Sequence, residues 1–200
     1  MGDGKVRTAG VAMAMQGSCI SNVDVGSATL KLSDDGTYNL IIGAADMGTG
    51  CDTILAQMVA EIMDCDVDDV AVFGADTDVS PYDSGSYASS PTYITGQAVV
   101  KACNTLKKRI CAIAAQMMDC GEEDVEFAGS FVRRVGSQRQ VSLKDISYKA
   151  QVGNTIAPEA TETHSSPVSP PPFMVGMVEI ELDKDTGEVK ILDYVAVVDC

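Results

Sequence analysis

Gly48-Thr49-Gly50-Cys51-Asp52-Thr53 and Gly85-Ser86-Tyr87-Ala88-Ser89-Ser90 are two small-residue loops. Each runs straight into a long amphipathic segment. A loop without bulky side chains brings its backbone N–H groups close to a ligand. A helix behind it adds free N–H groups and the positive end of its dipole. One such junction is a candidate anion site. Two in one short chain point to a ligand held at two places, such as a phosphorylated cofactor.

The segments around the loops read as alternating strands and helices. After the first loop, Leu55, Met58, Val59, Ile62 and Met63 fall at helical spacing, with Asp52 or Thr53 as a suitable N-cap. After the second, Ala98, Val99, Ala102, Leu106, Ile110, Ile113 and Met117 form the apolar face of a longer helix ending near Met118. Before the first loop, Gly26 to Gly43 reads as a hairpin around Asp34-Asp35-Gly36. Val70 to Phe73 is a short strand. Val125–Val135 and Gln140–Leu143 read as a second hairpin, and Ser142 as the cap of a short helix reaching Ala150. Met174–Leu182 and Glu188–Val198 read as a third hairpin. The resulting fold class is α+β, with β-hairpins packed on two long helices. The chain divides into loop-helix-strand units over residues 1–152, a Pro-rich loop over 153–172, and a closing hairpin over 173–200. An apolar strand running up to Asp199-Cys200 leads us to expect a fragment of a longer polypeptide.

Met63-Asp64-Cys65-Asp66-Val67-Asp68-Asp69-Val70 echoes Met118-Asp119-Cys120-Gly121-Glu122-Glu123-Asp124-Val125. Both read as a helix end, an acidic turn and a strand start. Either the chain repeats a loop-helix-strand unit, or it uses one common connection twice.

Composition narrows the function. The chain of 200 residues is 46% hydrophobic, enough to bury a core, and carries a net charge of −15, which argues against nucleic acid as partner. Residues 1–100 hold only Lys5, Arg7 and Lys31 against 14 acids. An anion at the loops would therefore be bound by backbone N–H groups and hydroxyls. A phosphate-binding Lys motif of nucleotide hydrolases is absent from the sequence. No apolar run reaches the roughly 18 residues of a membrane span, and we expect a cytoplasmic protein. Seven cysteines and a single His164 form no C-x-x-C and no Cys/His zinc pattern, so no metal ligands are assigned. Cys51, at a helix start but without a basic partner in sequence, is read as a packing or backbone-contact residue and not a nucleophile. His164, in a Ser/Pro-rich stretch, is expected to be exposed and inert.

The ordered series of segments resembles the molybdopterin-binding subunit of the xanthine dehydrogenase and aldehyde oxidase family. The matching stretches are Gly10–Gly17, Gly26–Gly43, Asp46–Thr53 with Gln57 and Glu61, Asp76-Thr77, Gly85–Thr92, Gly96–Val99, and Val178–Asp183 with Thr186-Gly187. The Gly-Thr-Gly form is closest to the bacterial xanthine dehydrogenase-like branch. The resemblance implies that Gly48, Thr49, Gly50 and Cys51 contact the pterin or its phosphate, and that Tyr87, Ala88, Ser89 and Ser90 wrap its other side. It implies a molybdenum cofactor, of the cytosine dinucleotide form, that hydroxylates purines, N-heterocycles or aldehydes with oxygen from water. Iron–sulfur clusters and FAD on partner domains or subunits would take the electrons. Thr49 stands where many relatives have Gln, and Ser90 where many bacterial ones have Arg. The family's catalytic glutamate matches no position up to Cys200, so no catalytic residue is assigned and the isolated chain is expected to be inactive. The rival expectation is a non-enzymatic subunit-assembly or binding domain derived from this family.

Overall fold

The structure, a computed structural model, describes residues 4–152 and 158–199. In chain order the strands are β1 (Lys5–Met15), β2 (Val25–Leu32), β3 (Tyr38–Ile42), β4 (Val70–Gly74), β5 (Val125–Ala128), β6 (Phe131–Arg134), β7 (Gln140–Ser142), β8 (Glu159–Ser165), β9 (Phe173–Asp183) and β10 (Val189–Asp199). The α-helices are α1 (Cys51–Met63), α2 (Gly96–Met118) and α3 (Leu143–Val152). They group into two compact units, Met1–Ser18 with Ser169–Cys200, and Cys19–Val168.

The smaller unit is a three-stranded antiparallel sheet in the order β1-β9-β10. The β9–β10 pair is the third hairpin expected from the sequence, closed by Gly187 N–H donating to the Asp183 carbonyl at 2.8 Å. Its other edge is taken by β1, in register from Lys5 opposite Asp183 to Met15 opposite Phe173.

The larger unit holds the core. Its main sheet has the order β4-β3-β2-β8. Alternation along β2 and β3 sends Ala28, Leu30, Leu32, Tyr38, Leu40 and Ile42 to one face, where all are buried. Leu55, Val59 and Met63 of α1 and Val99, Ala102, Leu106 and Ile110 of α2 complete that core. The apolar spacings read from the sequence are thus the faces that pack. Strand β4 lies parallel to β3, so β3, α1 and β4 form a βαβ unit within an otherwise antiparallel sheet.

Two expectations change. The segment 153–172, read as a Pro-rich loop, contains β8, which pairs antiparallel with β2 from Val25 opposite Ser165 to Lys31 opposite Glu159; residues 153–157 of that loop lie outside the described residues. The second hairpin is a three-stranded meander, β5-β6-β7, because the chain already turns at Gly129-Ser130. Ser142 does cap α3: its Oγ accepts the Asp145 N–H at 3.1 Å. The two echoed segments share geometry, each helix ending on a left-handed Asp (Asp64 and Asp119, both at φ 52°) followed by a 3-10 turn. The strands that follow differ, β4 joining β3 in parallel and β5 joining β6 antiparallel. The echo is one connection used twice, not a repeated unit.

Candidate functional site

The first loop leaves β3 at Ile42 and enters α1 at Cys51. The Asp52 and Thr53 side chains do not cap the helix: the N-cap is Gly50, in the left-handed region, with no side-chain cap. The capping work is done upstream. Asp46 Oδ1 accepts the Gly48 N–H at 2.8 Å and the Gly50 N–H at 3.2 Å. These bonds favour the ionised form and hold the Asp46 carboxyl below its ordinary range. Two N–H groups that the sequence offered to an external anion are therefore spent on the chain's own carboxylate. Gly48 (φ 99°) and Gly50 (φ 75°) need glycine for conformation, and a Cβ on either would meet nothing within 4 Å. The space over this backbone is open.

Cys51 is 1% exposed. Its thiol donates toward Asp52 Oδ1 at 3.7 Å. Burial first, then the Asp52 and Asp46 charges, push the thiol up to about 11. The helix dipole is outweighed, and Cys51 is a packed thiol as the sequence led us to expect. Asp46, Cys51 and Asp52 place one donor atom each within 4.8 Å of one another, but a thiol held protonated is a poor metal ligand.

The second loop is built on the same device. Asp83 Oδ1 accepts the Gly85 N–H at 2.9 Å, and Asp83 Oδ2 accepts the Thr95 hydroxyl at 2.7 Å. Ser84 closes the loop onto β2: its N–H donates to the Val25 carbonyl at 2.8 Å and its Oγ accepts the Val25 N–H at 3.0 Å. Ala88 (φ 51°) and Ser89 (φ 59°) are consecutive non-glycine residues in the left-handed region, a strain of about 1–2 kcal/mol each that concentrates at ligand clamps. Ser90 faces inward, 4% exposed, its Oγ donating to the Gly85 carbonyl at 3.3 Å. Its carbonyl accepts the Ile94 N–H at 2.7 Å, starting a π-helical turn, Pro91–Thr95, that leads into α2.

The two loops meet. Ser86 Oγ donates to the Ala45 carbonyl at 2.7 Å. Of the eight residues predicted from sequence, Gly48, Thr49, Tyr87 and Ser89 are exposed, Gly50 and Ala88 half-buried, and Cys51 and Ser90 buried.

Asp46, Asp83 and Asp24 were given no role in the sequence reading. The first two carry a legible signal: Asp46-Met47-Gly48 and Asp83-Ser84-Gly85 are both Asp-x-Gly, the pattern in which a carboxylate accepts the N–H two residues on. Asp24 has no such signal. It is fully buried, Oδ2 accepting the Ile20 N–H at 2.8 Å. The Tyr87 hydroxyl lies between Ser84, whose hydrogen bond favours the phenolate, and Asp24, which together with burial raises the phenol pKa.

His164 is a correction. It lies on β8, half-buried, in edge-to-face contact with Tyr93 at 6.3 Å between centroids. Both ring nitrogens are buried without a hydrogen-bond partner among the described residues.

With this geometry in place, the likeness to known proteins is specific. The sequence matches the molybdopterin cofactor-binding domain family over residues 1–200. This chain belongs to that family. It is 35% identical over 192 residues to a probable hypoxanthine oxidase of Escherichia coli K12, covering 96% of this chain and 20% of that protein. It is 32% identical over 168 residues to a putative xanthine dehydrogenase molybdenum-binding subunit of the same organism, covering 80% of this chain and 22% of that one. The chain thus spans about a fifth of these relatives. Among solved structures, the Cu,Mo-CO dehydrogenase superimposes with a TM-score of 0.87 at 24% identity, over 98% of this chain and 26% of that chain, a likeness of fold.

Proposed function

We propose that the two joined loops hold the pterin end of a molybdopterin cofactor, and that this chain is the cofactor-positioning part of a molybdenum hydroxylase. The observation that carries the reading is the Ser86–Ala45 bond, which makes one cradle of two glycine-bearing loops. The residues fit the group. Gly48 and Gly50 leave room for a ring against the backbone, and Thr49, Tyr87 and Ser89 are exposed polar side chains around it. Asp46 makes the first loop electronegative, so we assign it the N–H donors of the pterin, and assign the hydroxyls of Thr49 and Ser89 its oxygen acceptors. Cys51 and Ser90 act through the backbone they fix, since their side chains are buried.

When bound, the cofactor supplies the molybdenum chemistry that hydroxylates a carbon of a purine, N-heterocycle or aldehyde with oxygen from water. This chain's residues bind and orient the cofactor, and none of its carboxylates is assigned as the base. We place the cytosine dinucleotide form in the cradle, iron–sulfur clusters and FAD on partner domains or subunits, and the enzyme in the cytoplasm.

The test is metal analysis and nucleotide release on the natively purified full-length polypeptide. Molybdenum and cytidine monophosphate near one per chain are expected, and a Gly50→Val variant should lose both. A folded wild-type protein containing neither overturns the proposal.

A further inference from the structure

Asp24 is a carboxyl with no exposed surface. The turn over 20–24 uses half of it: its N–H donates to the Ile20 carbonyl at 3.1 Å, and its Oδ2 accepts the Ile20 N–H at 2.8 Å. Its Oδ1 is also buried and has no hydrogen-bond partner among the described residues. An acceptor left in that state is costly.

The neighbour that accounts for it is Tyr87. Ser84 is tied to Val25, the residue after Asp24, by three bonds. Its N–H and its Oγ donate to the Val25 carbonyl at 2.8 and 3.1 Å, and its Oγ accepts the Val25 N–H at 3.0 Å. The Tyr87 ring folds back over the next residue, Gly85, where a Cβ would lie 3.4 Å from Tyr87 Cδ1. The phenol is thereby brought to the Ser84 and Asp24 side chains, and both act on it by hydrogen bonding.

The direction of these bonds follows from a count of protons. The Ser84 hydroxyl has one, and it is given to Val25. Only a phenolate would draw it away. Ser84 favours that form, but Asp24, burial and Tyr82 outweigh it and raise the Tyr87 pKa, so the phenol stays neutral. Toward a neutral phenol, Ser84 Oγ can only accept. Asp24 Oδ1 is an acceptor too, and the stronger one when ionised. Both inner partners take the phenol proton, so the oxygen lone pairs are left for the outer side, where Tyr87 is 41% exposed.

We propose that Asp24 is a positioning residue for the cofactor: it holds the Tyr87 hydroxyl as an inward donor, so that Tyr87 meets the cradle as an acceptor and receives an N–H of the pterin. The proposal rests on the cofactor reading above. With Asp46 on the first loop, each loop then offers an acceptor to the N–H groups of the ring.

A double-mutant cycle in the full-length polypeptide tests this, read as the rate at which molybdenum is lost during dialysis. Asp24→Asn keeps an acceptor for the Ile20 N–H but turns an N–H toward the phenol oxygen, competing for its lone pairs. Tyr87→Phe removes the hydroxyl and keeps the ring over Gly85. Each should speed the loss about fivefold, and the double variant no more than either alone. A carboxyl that only supported the fold would act equally in both backgrounds, and the pair would then multiply to about twenty-five-fold. A second readout is free of the cofactor. Near-ultraviolet difference titration against Tyr87→Phe should show the Tyr87 phenolate at lower pH in Asp24→Asn than in wild type, with Tyr82 present in both. Wild-type retention in Asp24→Asn, a multiplicative pair, or an unmoved phenol titration would each overturn the proposal while the cofactor reading stands. A folded wild type without molybdenum would overturn the cofactor reading, and this proposal with it.

Discussion

Ser86 Oγ donates a 2.7 Å hydrogen bond to the carbonyl of Ala45, and this bond joins the loop before α2 to the loop before α1. Ser86 is half-buried and Ala45 exposed, so water can replace the bond when it is cut. Ser86→Ala should therefore cost only about 0.5–1 kcal/mol of stability. Its larger effect should be on the cradle, since the loops are then free to separate. The full-length variant should retain markedly less molybdenum through purification while its melting temperature barely moves, and Ser86→Thr should restore retention. Equal cofactor content in wild type and Ser86→Ala would show that the bond does not organise the site.

Cys51 should be inert despite its place at a helix start. With a thiol pushed up to about 11, the protonated form dominates near pH 7.5 and very little of the nucleophilic thiolate is present. Alkylation with iodoacetamide, read by peptide mass spectrometry, should leave Cys51 unmodified at neutral pH and reach it only in strongly alkaline solution. Asp52→Asn removes a nearby charge and weakens the 3.7 Å S–H···O contact, so labelling should begin at lower pH. Rapid labelling of Cys51 in the folded wild type would contradict the burial argument.

The parts of the fold legible in the sequence are those carried by apolar periodicity. Leu55, Val59 and Met63 mark α1 because the buried face is the face that repeats. Strand β8 was hidden because its pairing is polar. It sits at the sheet edge, and its Thr161 and Thr163 hydroxyls bond those of Thr29 and Ser27 at 2.7 and 2.9 Å. Its other contacts include Thr105 donating to Glu162 at 2.8 Å. A run of Glu, Thr, His and Ser beside prolines has no hydrophobic alternation to detect. The site divides in the same way. Glycines announced the loops, and the Asp-x-Gly pattern carries the local contacts by which Asp46 and Asp83 occupy their N–H groups. Asp24, distant in sequence, acts on the Tyr87 hydroxyl without any such signal. That contact comes from tertiary packing, which spacing along the chain does not encode.

His164 should give the protein an acid-side weakness. Burial first, then the Lys101 charge, lower its pKa below the ordinary 6.5. The unfolded chain therefore binds a proton that the folded chain refuses. Stability is complete above about pH 7 and falls as pH drops through 6.5 toward the folded value. His164→Phe keeps an aromatic ring against Tyr93 and removes the titration. Its melting temperature should fall less than that of wild type between about pH 7.5 and pH 5. Parallel declines for the two proteins would place the acid sensitivity elsewhere.

Gly43→Ala should damage the fold and the cradle together. A Cβ on Gly43 would lie 2.5 Å from the Pro81 carbonyl oxygen and 2.6 Å from Asp83 Cβ. The carbonyl is backbone and cannot swing aside, so the loop itself must move, at a cost of about 1–3 kcal/mol. For a domain of this size that corresponds to a drop of roughly 2–4 °C in melting temperature per kcal/mol. The displaced residue, Asp83, is also the acceptor for the Gly85 N–H and the Thr95 hydroxyl. Cofactor retention in the full-length variant should therefore fall beyond what lost stability explains. Gly10→Ala is the matched control, because a Cβ there meets nothing within 4 Å. It should leave both the melting temperature and the molybdenum content at wild-type values, and a comparable loss in both variants would remove the steric explanation.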